Sequence, residues 1–130
     1  MISENDVVCF LGDSITDTAL WIRRVYDYYR NTLGIKCEMY NCGVSGDTAD
    51  HAYHRLEETV FVYKPTIIVI ELGINDIRAA LYDSKVPDEE CVMQRRLALD
   101  NGVSSIRKLA NVFAERGIRM IFCTPIRYND

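Results

Sequence analysis

Three short stretches of the chain hold residue types that together can carry out acyl transfer. Gly12-Asp13-Ser14 follows an apolar run and offers a hydroxyl nucleophile. Cys42-Gly43-Val44-Ser45-Gly46-Asp47-Thr48 holds two glycines, which let backbone N–H groups approach a ligand closely. A helical pattern follows it, and a helix N-terminus adds positive partial charge. Gly73-Ile74-Asn75-Asp76 supplies a side-chain amide donor. A tetrahedral intermediate carries an oxyanion, and donors already fixed around it stabilise the transition state more than the ground state. Losing one such donor costs about 2.7–4 kcal/mol of barrier.

Each of the three stretches follows a β-rich run. Strands are expected at residues 7–11, 38–41, 66–72 and 119–124. Val7-Val8-Cys9-Phe10-Leu11 and Thr66-Ile67-Ile68-Val69-Ile70-Glu71-Leu72 are almost continuously apolar, as strands covered on both faces are. Between them lie helical patterns. Trp21, Ile22, Val25, Tyr29 and Leu33 recur at spacings of three and four, with Gly34 as the stop. Residues 48–62 read as a second helix, and Leu99, Val103, Ile106, Ala110 and Phe113 as a third, ended by Gly117. Strand–helix alternation with short links implies a parallel sheet with right-handed crossovers. Residues 82–90 are the least regular, and Pro87 ahead of Asp88-Glu89-Glu90 can open a helical turn. Loops after the carboxyl ends of strands are where α/β sheets bind ligands, which sets this stretch beside the expected site.

With the three stretches in this order, Gly12-Asp13-Ser14, Gly46 in Val-Ser-Gly-Asp and Gly73-x-Asn75-Asp76 resemble the first three blocks of the SGNH hydrolases, also called GDSL esterases or lipases. The resemblance runs from the first strand to Thr124-Pro125. It implies a three-layer α/β/α sandwich, flavodoxin-like, with strand order 2-1-3-4 and a fifth strand beside the fourth. It implies a cofactor-free ester hydrolase acting through an acyl-enzyme on Ser14. The Ser14 backbone N–H, Gly46 and Asn75 would form the oxyanion hole. Asp13 would fix the nucleophile turn, and Asp76 would support the asparagine loop. The family's last block, Asp-x-x-His, supplies the general base and the carboxylate that orients it, and it does not occur here. The chain is therefore expected to be a single domain, residues 1–130, that is the N-terminal part of a larger hydrolase and turns over little alone. A sugar or short-chain ester is the expected substrate. The rival from another class is a catalytically inactive binding module that keeps the cradle.

The remaining features carry blander readings. Fifteen Lys and Arg against nineteen Asp and Glu give a net charge of −4, without the basic excess of a nucleic-acid-binding protein. No apolar run approaches the roughly 20 residues of a membrane span, and the acidic N-terminus is not a secretory signal. Five cysteines cannot all pair, and Cys9 and Cys123 lie in apolar runs, so inert thiols and a cytoplasmic location are expected. His51 and His54 are three apart on a helix without a third ligand, a poor metal site, and read as solvated. Trp21 either packs on the sheet or walls the substrate pocket. A phosphoacceptor or flavin-binding domain of similar topology is a weak competitor, because Thr124-Pro125-Ile126 lacks the lysine a receiver needs. The fourth strand is as hydrophobic as a central one, so its bare edge invites self-association.

Overall fold

The two central strands form where apolar residues run almost without polar interruption, and the two flanking strands are more exposed. In the computed structural model, which describes residues 2–77 and 88–124, they are β1 (Val7–Gly12), β2 (Glu38–Gly43), β3 (Ile67–Glu71) and β4 (Arg119–Phe122). All pairings are parallel and the order is β2-β1-β3-β4, with Gly12 opposite Gly43 on one side and Glu71 on the other. The α/β class and strand order are those expected from the sequence. Strand alternation splits the interior in two. Cys9, Leu11, Ile68 and Ile70 pack with Leu109 and Phe113, while Val8, Phe10, Ile67 and Val69 pack against Ile22 and Trp21. Phe10 is 1% exposed, and truncating such a residue costs about 3–5 kcal/mol.

The helices are α1 (Ser14–Asp17), α2 (Leu20–Asp27), α3 (Ala49–His54), α4 (Leu56–Thr59) and α5 (Asp88–Glu115). A π-helical turn, Tyr28–Thr32, extends α2, and a 3-10 turn, Phe61–Tyr63, follows α4. Two expectations need correction. The helix expected over residues 48–62 is broken at Arg55, where the backbone leaves helical geometry at φ −106° and ψ 5°. There the guanidinium reaches back to the loop before α3, and the Thr59 hydroxyl donates to the Arg55 carbonyl. The third helix begins at Asp88, well before Leu99; exposed Val92, Met93 and Leu97 hide its start from apolar periodicity. Of the irregular stretch 82–90, residues 82–87 lie outside the described residues, and 88–90 are helix. Among the described residues, nothing pairs with the outer edge of β4, where Ile121 and Phe122 stand half-exposed. Among them also, no helix is long and apolar enough to cross a membrane.

At the amino ends of the strands a buried carboxylate ties three segments together. Asp6 accepts from the Ser3 backbone N–H at 2.7 Å, the Ser3 hydroxyl at 2.8 Å and the Thr66 hydroxyl at 2.7 Å, and pairs with Arg119. These donors, Arg119 foremost, hold its carboxyl well below the usual carboxylate range. A carboxyl depressed in the folded state stabilises the fold above the unfolded value near 3.9, and that contribution is lost as pH falls toward the folded value. Asp6→Asn is therefore expected to lower the melting temperature at pH 7, and its deficit against the parent to shrink below pH 4. Parallel thermal melts across pH 2–8 check both.

Candidate active site

The first crossover is shaped by contact as much as by conformation. Gly12 ends β1 where α1 folds back onto the sheet, and a Cβ there would lie 2.1 Å from Thr16 Oγ1 and 2.7 Å from the Glu71 carbonyl. Across the ladder a Cβ on Gly43 would meet the Asp17 backbone N at 2.4 Å. The paired glycines let α1 sit down on the strand ends. Asp13, fully buried, caps α1 by accepting from the Ile15 backbone N–H at 3.0 Å. Ser14 follows as the first helical residue and is exposed.

The second crossover turns at Gly46, whose φ of +84° is left-handed and favours glycine. Asp47 and Arg55 hold this loop. Arg55 Nε donates to Asp47 Oδ2 at 2.6 Å and Nη2 to the Cys42 carbonyl at 2.8 Å, bridging strand end and loop. Thr48 caps α3 through the His51 backbone N–H at 3.2 Å. The third loop docks on the second: the Asp76 carboxylate accepts from the Ala49 backbone N–H, both oxygens at 3.1 Å. Burial raises the Asp76 carboxyl above its ordinary value.

Asn75 joins all three. Its Nδ2 donates to the Asp47 carbonyl at 2.9 Å and to Asp13 Oδ2 at 3.3 Å. Ser14 is next to Asp13 and Gly46 is next to Asp47, so hydroxyl, loop amide and carboxamide are tied through adjacent residues. Asn75 is thus not a free donor in this state. The bond to Asp13 is the longer and weaker of the two, and its hydrogen is the one most readily redirected.

Behind the nucleophile turn lies a residue that sequence reasoning passed over. Glu71, 6% exposed, receives the Thr16 hydroxyl on Oε2 at 3.2 Å. A carboxyl in an otherwise apolar strand was the available signal. Burial, and then the neighbouring Asp13, push its titration upward, against the smaller lowering effect of Thr16. A carboxyl raised in the folded state loses stability as pH climbs from the unfolded value near 4.3 through the folded one. Glu71→Gln is neutral at every pH, so its melting temperature relative to the parent is expected to rise between pH 5 and pH 8. A constant difference would contradict the direction of the shift.

His51 and His54 are exposed, and His54 Nε2 lies 3.7 Å from Asp50 Oδ2 on its own helix. Neither is hydrogen-bonded to the serine turn. Trp21 meets Phe10 edge-on at 5.2 Å and so packs on the sheet. Among the described residues no group of three or more His, Cys, Asp or Glu is placed to hold a metal ion.

This arrangement of three loops can be set beside known proteins. The family model of GDSL-like lipases and acylhydrolases matches residues 8–130. The chain belongs to that family. No curated protein matches the sequence significantly. Among solved structures it is similar to an acetyl xylan esterase, Axe2 of Geobacillus stearothermophilus, at 26% identity and a TM-score of 0.78, covering 96% of this chain and 62% of that one. Other forms of Axe2 are described as catalytic mutants, one with serine changed to alanine and one with aspartate changed to alanine. A second acetyl xylan esterase, AlAXEase, matches at 22% identity and a TM-score of 0.69, over 91% of this chain and 57% of that one. A gut microbial diltiazem-metabolizing enzyme matches at 22% identity and a TM-score of 0.81, over 94% of this chain and 27% of its own. The last two likenesses bear on the fold alone. The chain spans less than two thirds of the length of each of these proteins.

Proposed function

We propose that this GDSL-family chain carries the nucleophile and oxyanion-binding half of a serine ester hydrolase. Ser14 Oγ attacks the ester carbonyl, the alcohol departs, and water then releases the acyl group from the serine. The developing oxyanion is held by the Ser14 and Gly46 backbone N–H groups and by Asn75, whose second amide hydrogen turns from Asp13 to the substrate oxygen. Asp13 and Asp76 position Ser14 and the asparagine loop. The observation that carries this reading is the hydrogen-bond run Asp13–Asn75–Asp47, which unites the three strand-end loops at one point. No metal or organic cofactor enters these steps. The likeness to Axe2 favours a carbohydrate ester with a short acyl group.

A serine hydroxyl is a weak nucleophile until a base takes its proton. None of the described residues bonded around Ser14 is such a base, which favours a second reading, a binding module that keeps the cradle without turnover. Covalent capture separates the two. A fluorophosphonate at pH 9, where hydroxide stands in as base, forms the Ser14 O–P bond with loss of fluoride and of the serine proton. Intact-mass measurement is expected to find one adduct, absent from Ser14→Ala. Absence of adduct from the parent, with ligand-induced thermal stabilisation that survives Ser14→Ala, would establish the binding module instead.

A further inference from the structure

Arg55 is not among the residues proposed to meet substrate, yet it is bonded to both flanks of the loop that presents the Gly46 N–H. That loop closes as a tight turn, Val44–Asp47, in which the Asp47 N–H donates to the Val44 carbonyl at 3.1 Å. Of its two central residues only Gly46 has a positive φ, +84°, which makes the turn type II. The amide between Ser45 and Gly46 is the central peptide of the turn. Its N–H bonds to no acceptor among the described residues, so it is free to donate to a ligand. Type I and type II turns share the same end-to-end bond and differ chiefly by a half-rotation of this peptide, which aims its N–H at opposite faces. The end-to-end bond alone therefore does not fix where the Gly46 N–H points.

The Arg55 side chain, 16% exposed, spans the flanks. Its Nη2 donates to the Cys42 carbonyl before the turn at 2.8 Å, and Nε to Asp47 Oδ2 at the end of it at 2.6 Å. Nη1 donates to Thr59 Oγ1 at 3.0 Å, so all three nitrogens are engaged. A planar fork held in this way leaves little freedom to either flank. Asp47 in turn offers its carbonyl to Asn75 Nδ2 at 2.9 Å. The residue that Arg55 holds thus adjoins both proposed donors, Gly46 through the chain and Asn75 through a hydrogen bond.

We propose that Arg55 is a positioning residue for the oxyanion site. Through Asp47 and the Cys42 carbonyl it keeps the Val44–Asp47 turn in the form that aims the Gly46 N–H, and it seats Asn75 beside that donor. Arg55 itself touches no reacting atom. The consequence for acyl transfer rests on the hydrolase reading above; the control of the turn by Arg55 does not.

Removing the guanidinium alone leaves the Asp47 carboxylate, 8% exposed, without its counter-charge and endangers the fold. The test therefore uses the full chain with Arg55→Met and Asp47→Asn together, and separately Arg55→Lys, which keeps the charge but loses the fork. Melting curves establish which variants are folded. Phosphonylation of Ser14 at pH 9 is followed by intact mass against fluorophosphonate concentration. At saturation the double variant is expected to react about 100-fold more slowly, as if one oxyanion donor were lost, with a half-saturating concentration within about twofold of the parent's. Arg55→Lys is expected to be about tenfold slower than the parent, and carries the comparison by itself should the double variant not fold. A second readout needs no chemistry. In the free parent, 15N relaxation dispersion at the Ser45 and Gly46 amides is expected to be flat, whereas in the variants the flipping peptide gives microsecond-to-millisecond exchange. A folded variant captured at the parent's rate overturns the oxyanion role, and flat dispersion in it overturns the control of the turn. A purely structural Arg55 gives both results and lowers only the melting temperature. Absence of adduct from the parent sinks the hydrolase reading alone, and the dispersion profiles then decide whether Arg55 sets the turn.

Discussion

Purified by itself, the 130-residue chain is expected to hydrolyse p-nitrophenyl acetate about 10⁶-fold more slowly than an intact serine esterase. On the proposed reading the serine and its oxyanion donors lie together, but among the described residues no histidine is hydrogen-bonded to the serine turn. His51 and His54 are the chain's two histidines; both are exposed on α3, and His54 is held beside Asp50 of the same helix. In a serine protease, loss of the histidine costs about 2 × 10⁶ in kcat, equivalent to about 8–9 kcal/mol of barrier. What survives such a loss is about 10³–10⁴ over water, contributed by oxyanion donors and binding. Release of p-nitrophenol should therefore be slow but above background, and should rise with pH as hydroxide replaces the base. Turnover at the rate of an intact esterase, abolished by Ser14→Ala, would mean that a base reaches the serine from His51, His54 or another subunit.

Gly12→Ala is expected to leave almost no folded protein. Crowding of a packed core by an added methyl commonly costs about 1–3 kcal/mol because side chains can move aside. Here part of the obstruction is backbone. The new Cβ would lie 2.7 Å from the Glu71 carbonyl of the adjoining strand, besides 2.1 Å from Thr16 Oγ1 and 2.6 Å from Thr16 Cβ. Relief requires either β1 and β3 to part or α1 to lift off, and α1 carries Asp13 and Ser14 at its head. Thr16→Ala on top of Gly12→Ala removes the hydroxyl but not the carbonyl contact, so rescue should be partial at best. Soluble yield and far-ultraviolet circular dichroism decide the matter. A cooperative melt within a few degrees of the parent's would show that the close approach of α1 to the sheet is not required.

Much of this architecture is written in local pattern. Unbroken apolar runs such as Val8–Leu11 announce strands buried on both faces, and glycines with polar residues after the first three runs announce the loops where function gathers. The legible parts are those in which neighbouring residues determine the outcome. What was not legible depends on contacts between distant segments. The break at Arg55 comes from a guanidinium reaching back to Asp47 and Cys42 across the loop, and nothing in the periodicity of residues 48–62 marks it. The early start of α5 was hidden because exposed Val92, Met93 and Leu97 do not follow the buried stripe. In the site, Ser14, Gly46 and Asn75 could be nominated from residue type and order. The bonds of Asn75 to Asp13 and Asp47, and the partnership of Glu71 with Thr16 across 55 positions, required the fold.

The most direct measurement is a crystal structure of the chain after slow phosphonylation at high pH. If one oxyanion site is formed by the three crossovers, the phosphonyl group is bonded to Ser14 Oγ. Its charged oxygen then lies about 2.7–3.1 Å from both the Gly46 backbone nitrogen and Asn75 Nδ2, the reach of a donor in an oxyanion hole. An adduct on another residue, or a phosphonyl oxygen facing solvent while Asn75 keeps both bonds to Asp13 and Asp47, would contradict it.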